Sequence, residues 1–136
     1  MTGQKTALVI SAHAADFVWR CGGAIAQHAA KGYNVSVLCL SFGERGESAR
    51  LWKQEGMTLQ QVKDTRRKEA EKAAQALGVH DLICMDLGDY PLDVDRAAKD
   101  KIVDVIRKVQ PEFMLSHSKY DPYNTDHMNT TQVALE

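Results

Sequence analysis

Four short apolar runs punctuate the chain. Residues 6–11 (TALVIS), 34–41 (NVSVLCLS), 81–85 (DLICM) and 112–117 (EFMLSH) are each bounded by polar or turn-forming residues. Largely unbroken apolar character is what a strand covered on both faces requires. The stretches between the runs repeat at helical spacing instead. Gly22 and Gly23 open a small-residue helix over 24–30, and Gly32 closes it. Thr58 caps a long helix in which Leu59, Val62, Ala70, Ala73, Ala74 and Leu77 share a face, and Gly78 ends it. Residues 95–109 are amphipathic, with Ala98, Ile102, Val105, Ile106 and Val109 on one side and Pro111 as the stop. Residues 42–48 read as a polar loop that continues irregularly to Gly56, and 87–91 as a second loop. The run from Thr130 to Glu136 reads as the first turns of another helix.

Strands separated by helices imply right-handed βαβ units and a mostly parallel sheet covered on both faces. The expected fold is therefore α/β, a Rossmann-like three-layer α/β/α arrangement in one domain over residues 1–136. A sheet stopping there leaves one edge poorly covered. The expectation is that the chain is an N-terminal portion of a larger domain, or that a partner, a second copy included, completes it.

Bulk properties narrow the function classes. With 136 residues and 44% hydrophobic content the chain can bury a real core. A formal net charge of −1 gives no electrostatic case for nucleic acid or an acidic membrane surface. No apolar run is long enough for a bilayer, and the N-terminal residues lead into a strand rather than a secretory signal. Cys21, Cys39 and Cys84 have no metal-type spacing and read as reduced thiols of a cytoplasmic protein.

The candidate chemistry lies just past two strands. Ser11-Ala-His-Ala-Ala-Asp-Phe17 follows the first run, and Asp121-Pro-Tyr-Asn-Thr-Asp-His127 follows the fourth. The carboxyl edge of an open α/β sheet is where ligands bind. His13, Asp16 and His127 match in number and type the three-ligand set of a catalytic zinc site, if the first and fourth strands are neighbours. Iron or manganese would be accepted by the same donors. The bland alternative is a capped or exposed loop histidine.

The segment Ala12-His13-Ala14-Ala15-Asp16-Phe17 resembles the His-Pro-Asp-Asp-Glu signature of the zinc-dependent N-deacetylases related to GlcNAc-phosphatidylinositol and LmbE-like enzymes. Asn124-Thr-Asp-His127 resembles their His-x-Asp-His signature, and Gly43-Glu-Arg-Gly46 their Gly-Glu-x-Gly loop. The resemblance implies zinc on His13, Asp16 and His127. It also exposes departures. The position of the family's general base is Ala15, the final Glu of the signature is Phe17, and the second catalytic His is Asn124. The strings at 11–20, 40–48, 88–91 and 115–124 are similar to a hydratase branch of the family. That branch acts on an unsaturated oxo-tricarboxylic acid in bacterial breakdown of aromatic compounds such as gallate and protocatechuate.

The implied reaction adds water to a conjugated double bond, with zinc as Lewis acid or as activator of water. A proton acceptor is needed, and Glu47 is the expected base with Glu44 as alternate; both could equally be solvated loop charges. For a tricarboxylate substrate Arg45 is the expected clamp, with Arg20 and Lys119 weaker. His117, Tyr123 and Asn124 flank His127 and are expected to hydrogen-bond substrate or ligands, although His117 also fits a satisfied strand-end histidine. Arg66, Arg67 and Lys68 read as the wet face of the long helix. Phe17 and Trp19 read as packing residues, and His28 and His80 as non-functional. The competing functions are a divergent zinc N-deacetylase that has moved its base to Glu47, and a non-catalytic assembly subunit.

Overall fold

The computed structural model describes residues 3–136; of the N-terminal lead-in, Met1 and Thr2 lie outside the described residues. In chain order the elements are β1 (Thr6–Ser11), α1 (Asp16–Ala30), β2 (Asn34–Cys39), α2 (Ala49–Trp52), α3 (Leu59–Leu77), β3 (Asp81–Cys84), α4 (Arg96–Val109), β4 (Phe113–Leu115) and α5 (Thr125–Leu135). The four strands form one sheet in the order β3-β2-β1-β4, and every pairing is parallel. The chain moves outward from β1 to β3 and then crosses to the other side of β1. That reversal opens a crevice at the carboxyl ends of β1 and β4, the usual ligand position in open α/β sheets.

Alternate strand residues feed two cores. Ala7, Val9, Val35, Val37 and Cys39 pack with Phe17 and Ile25 of α1 and Ala70 and Ala74 of α3. Leu8, Ile10, Leu38 and Leu40 pack on the opposite side with Ile102 of α4, and Val133 and Ala134 of α5 join them. The expected three layers are present, with α1 and α3 on one face and α4 and α5 on the other.

Several helix ends follow the expected local chemistry. Thr58 and Gln61 form a reciprocal capping box on α3, and Gly78 ends it in the left-handed region at φ 78°. Asp95 caps α4 by accepting from the Ala98 N–H at 2.8 Å.

Other boundaries differ. Helix α1 begins at Asp16, well before residue 24, and absorbs a non-helical residue at Cys21 (φ −145°) just ahead of the glycine pair. Helix α5 begins at Thr125 because Asn124 caps it, not at Thr130. The short helix α2 interrupts the stretch expected to be irregular, anchored by the Trp52 indole N–H donating to the Glu44 carbonyl at 2.6 Å. Strand β4 is shorter than 112–117, since beyond Leu115 the Ser116 hydroxyl takes over the Ile10 carbonyl at 2.9 Å. Phe17 is fully buried as expected, but Trp19 is 84% exposed and packs nothing onto the sheet. No helix of the described residues is long and apolar enough to cross a membrane.

Candidate metal centre

The loop after β1 is pinned from both neighbouring strands. The Ala12 N–H donates to Nε2 of His117 at 3.0 Å, and the Ala12 carbonyl accepts from the Ser41 N–H and hydroxyl, each at 2.9 Å. Next, the His13 N–H donates to Asp16 Oδ2 at 2.9 Å while the Asp16 N–H donates to the His13 carbonyl at 3.2 Å. This closed turn is why a spacing of three brings the carboxylate back beneath the imidazole. His13, Asp16 and His127 are all buried.

Asp16 Oδ2 lies 3.2 Å from His13 Nδ1 and 3.3 Å from His127 Nε2. The far nitrogen of each ring is already engaged. His13 Nε2 is 3.0 Å from Asp126 Oδ2 and from Asp89 Oδ1, and His127 Nδ1 is 2.9 Å from Asp121 Oδ2. Carboxylates accept, so the far nitrogens carry the protons and the near ones face Asp16. Those near nitrogens, His13 Nδ1 and His127 Nε2, are buried without a hydrogen-bond partner. Two buried ring nitrogens whose lone pairs have no partner are costly unless something binds them. The three ligand atoms lie within 4.8 Å of one another and suit a divalent cation. Carboxylates behind both imidazoles are the usual support for such ligands. A second grouping, His13 with Asp89 and Asp126, also falls within that distance. Three of its four carboxylate oxygens take peptide N–H groups, and Asp89 Oδ1 faces His13 Nε2. Asp89 accepts from the N–H groups of Arg45 and Gly46, and Asp126 from those of Tyr90 and Leu92. They act as a brace behind His13.

The electrostatics match this arrangement. Burial alone would lower the His13 pKa, but the close carboxylates of Asp16, Asp89 and Asp126 outweigh it and push it up to about 11. Burial opposes ionisation of Asp16, yet His127 and His13 hold its carboxyl well below the usual range. The His127 pKa is raised because Asp16 and Asp121 overcome burial. Protons and a cation would therefore compete for the same ring nitrogens. His117 goes the other way: burial takes its pKa down to about 4, so it stays neutral and accepts the Ala12 N–H. Its ring stacks on that of His127 with centroids 3.9 Å apart. It occupies the satisfied strand-end role.

The remaining expected site residues separate. Glu47 Oε1 reaches to 3.8 Å from His13 Nδ1, and its side chain is 28% exposed. Burial and the nearby Asp16 charge raise its pKa above the ordinary carboxylate value. Gly43 sits at φ +65°, and a Cβ there would lie 2.6 Å from Glu47 Oε2, so this glycine leaves room for the carboxylate. Glu44 is buried at 4% exposure with Oε2 unpartnered, and its carbonyl serves Trp52. Arg45 is exposed and contributes its peptide N–H to Asp89. Tyr123 is 94% exposed. Asn124 caps α5, its Oδ1 accepting from the His127 N–H at 3.3 Å. Arg20 lines a cavity of about 210 Å³ together with Asp16 and His117, and Lys119 is exposed.

One reading needs correction. Arg66 is not on the wet face of its helix: its side chain is 15% exposed and lies 3.5 Å from Glu47 and 2.7 Å from Glu69. It walls an open polar cleft of about 460 Å³ with Glu47, Arg50 and Gln54. Periodicity missed it because a long side chain at a helix flank bends over the neighbouring loop. Sequence reasoning also missed Asp89, Tyr90, Asp121 and Asp126 as parts of the centre. Their signals were present in the Gly-Asp-Tyr-Pro string and in the acids on either side of Asn124.

Comparison with known proteins places the chain in a family. The GlcNAc-PI de-N-acetylase family (PIG-L) matches residues 8–136. The chain belongs to that family. It is 57% identical over 135 residues to the 4-oxalmesaconate hydratase of Pseudomonas putida, covering 99% of this chain and 52% of that protein. It is 31% identical to the diacetylchitobiose deacetylase of Thermococcus kodakarensis, covering 97% of this chain and 48% of that one. Among solved structures, the 4-carboxy-2-hydroxymuconate hydratase GalB of Pseudomonas putida superposes with a TM-score of 0.94 at 56% identity, over 97% of this chain and 55% of that chain. The chain thus spans about half the length of the curated relatives it matches.

Proposed function

We propose that this chain carries the metal-binding half of a hydratase acting on 4-oxalomesaconate, in the breakdown of gallate and protocatechuate. The observation that carries the reading is a His13–Asp16–His127 set beside Glu47, with Ala15 where a deacetylase of this family keeps its base. An amide hydrolase needs a proton acceptor at that place, and a methyl group is none. The high identity to a hydratase supports the same choice.

His13, Asp16 and His127 would hold a divalent cation, zinc first among the candidates, which would supply Lewis-acid stabilisation of negative charge developing on the substrate. Glu47 then takes a proton from the attacking water. Its carboxylate, 3.8 Å from His13 Nδ1, stands beside the ligand set where a base is needed. As oxygen bonds to carbon, the double-bond electrons move toward the conjugated carbonyl, and the resulting enolate regains a proton at its α-carbon to complete the addition of water. Arg66 and Arg50 wall the cleft that starts at Glu47 and are suited to the substrate carboxylates. Three free thiols fit a reducing, cytoplasmic setting.

The test is loss of the conjugated oxo acid's absorbance, run beside release of acetate from an N-acetyl sugar. Hydration without acetate release is expected; the reverse result ends the reading. Glu47→Gln should keep the metal and cut turnover roughly a hundredfold.

A further inference from the structure

Tyr90 is held more firmly than an exposed loop residue requires. Its backbone sits in the left-handed region at φ 47°, unfavourable for a non-glycine residue. Asp126 Oδ2 accepts its N–H at 3.1 Å. Its ring stacks on His13 at 5.5 Å between centroids and 19° between planes. Gly46 gives the ring its seat: a Cβ there would lie 2.2 Å from Cε2 of the tyrosine. Asn124 Nδ2 donates to the Tyr90 hydroxyl at 2.6 Å. Yet Tyr90 remains 40% exposed, so burial of apolar surface does not explain these restraints.

The direction of the Asn124 hydrogen bond matters most. As the cap of α5, Asn124 turns Oδ1 toward the His127 N–H, which leaves Nδ2 facing Tyr90. An amide NH₂ only donates. The phenol oxygen therefore accepts, and its own proton is free for another acceptor. We propose that the Tyr90 hydroxyl, oriented by Asn124, donates a hydrogen bond to a substrate oxygen that gains negative charge during hydration. Asn124 stands where the family signature has a catalytic histidine. Here it is a positioning residue, and the donor has moved to the Gly-Asp-Tyr-Pro loop. The idea rests on the hydratase reading for its reaction, but its ligand chemistry is an enolate-like anion next to the metal centre.

Two variants test it, each measured for metal content, turnover and calorimetric Kd of oxalate, a mimic of an enolised keto acid. Tyr90→Phe keeps the ring on His13 and removes the hydroxyl, which is both the donor to substrate and the acceptor for Asn124 Nδ2. It should leave the metal in place, lower turnover roughly 100-fold and weaken oxalate about tenfold. Asn124→Asp keeps a helix cap but turns the hydrogen bond round, since a carboxylate draws the phenol proton to itself. It should lose turnover and oxalate affinity while melting no lower than the parent. In the double variant the second change should add little, because both act on one proton. Full turnover and oxalate affinity in Tyr90→Phe would overturn the proposal. So would an Asn124→Asp loss that persists undiminished in the Tyr90→Phe background, for then charge alone is responsible. Should the parent protein not hydrate the oxo acid, the functional reading fails, and the oxalate comparison still decides on Tyr90.

Discussion

Asp16 serves several partners with one oxygen. Oδ2 takes the His13 peptide N–H and lies against ring nitrogens of His13 and His127. Without a cation these imidazoles hold protons, because the carboxylates around them outweigh burial. The sign of the resulting linkage follows. A ligand nitrogen must be bare to bind metal, so each raised pKa sets proton against cation. Metal affinity should rise with pH across the neutral range, and binding should release protons to the medium. Calorimetric titration of the metal-free protein with zinc, in buffers of different ionisation enthalpy, checks this. Binding with no net proton release would show that the imidazoles are already neutral.

The Gly43–Glu44–Arg45–Gly46–Glu47 loop and the loop carrying Asp89 and Tyr90 behave as one unit. Asp89 takes the peptide N–H groups of Arg45 and Gly46 and also reaches His13. Gly46→Ala would push a methyl group into the Tyr90 ring, which must move, since the contact is far inside van der Waals range. The ring is partly exposed, so stability should change little while turnover falls roughly tenfold or more. Comparing melting temperature with kcat separates the two; a large loss of melting temperature would show that the loop pair is a folding element. Strands and long helices were legible because hydrophobic period and caps are local signals. The interlocked loops were not. Asp89 and Asp126 matter through peptide N–H groups remote in sequence, and no spacing rule reports such bonds. Arg66 failed for a related reason, its charge having suggested solvent when Glu47 and the Phe42 carbonyl hold it. The meeting of His13, Asp16 and His127 was readable because the first two share one turn and His127 lies shortly after β4.

At the scale of the whole molecule, the sheet order makes the centre. Placing β4 beside β1 brings the loop of His13 and the start of α5 together, a juxtaposition that alternating elements suggest but do not dictate. A cation bound only by the folded state stabilises it. Saturating zinc should raise the melting temperature by roughly 10 °C. His127→Ala, which removes one ligand from α5, should abolish most of that gain in the same thermal scan. An equal rise in the variant would place the ion elsewhere.

The brace behind His13 has a consequence for how the molecule matures. His13 is steadied by Asp126, which belongs to α5 and lies 113 residues further along the chain. Ribosomal synthesis delivers these partners far apart in time. The His13 imidazole therefore lacks this part of its brace until α5 has docked, so a cation held by His13, Asp16 and His127 would load late.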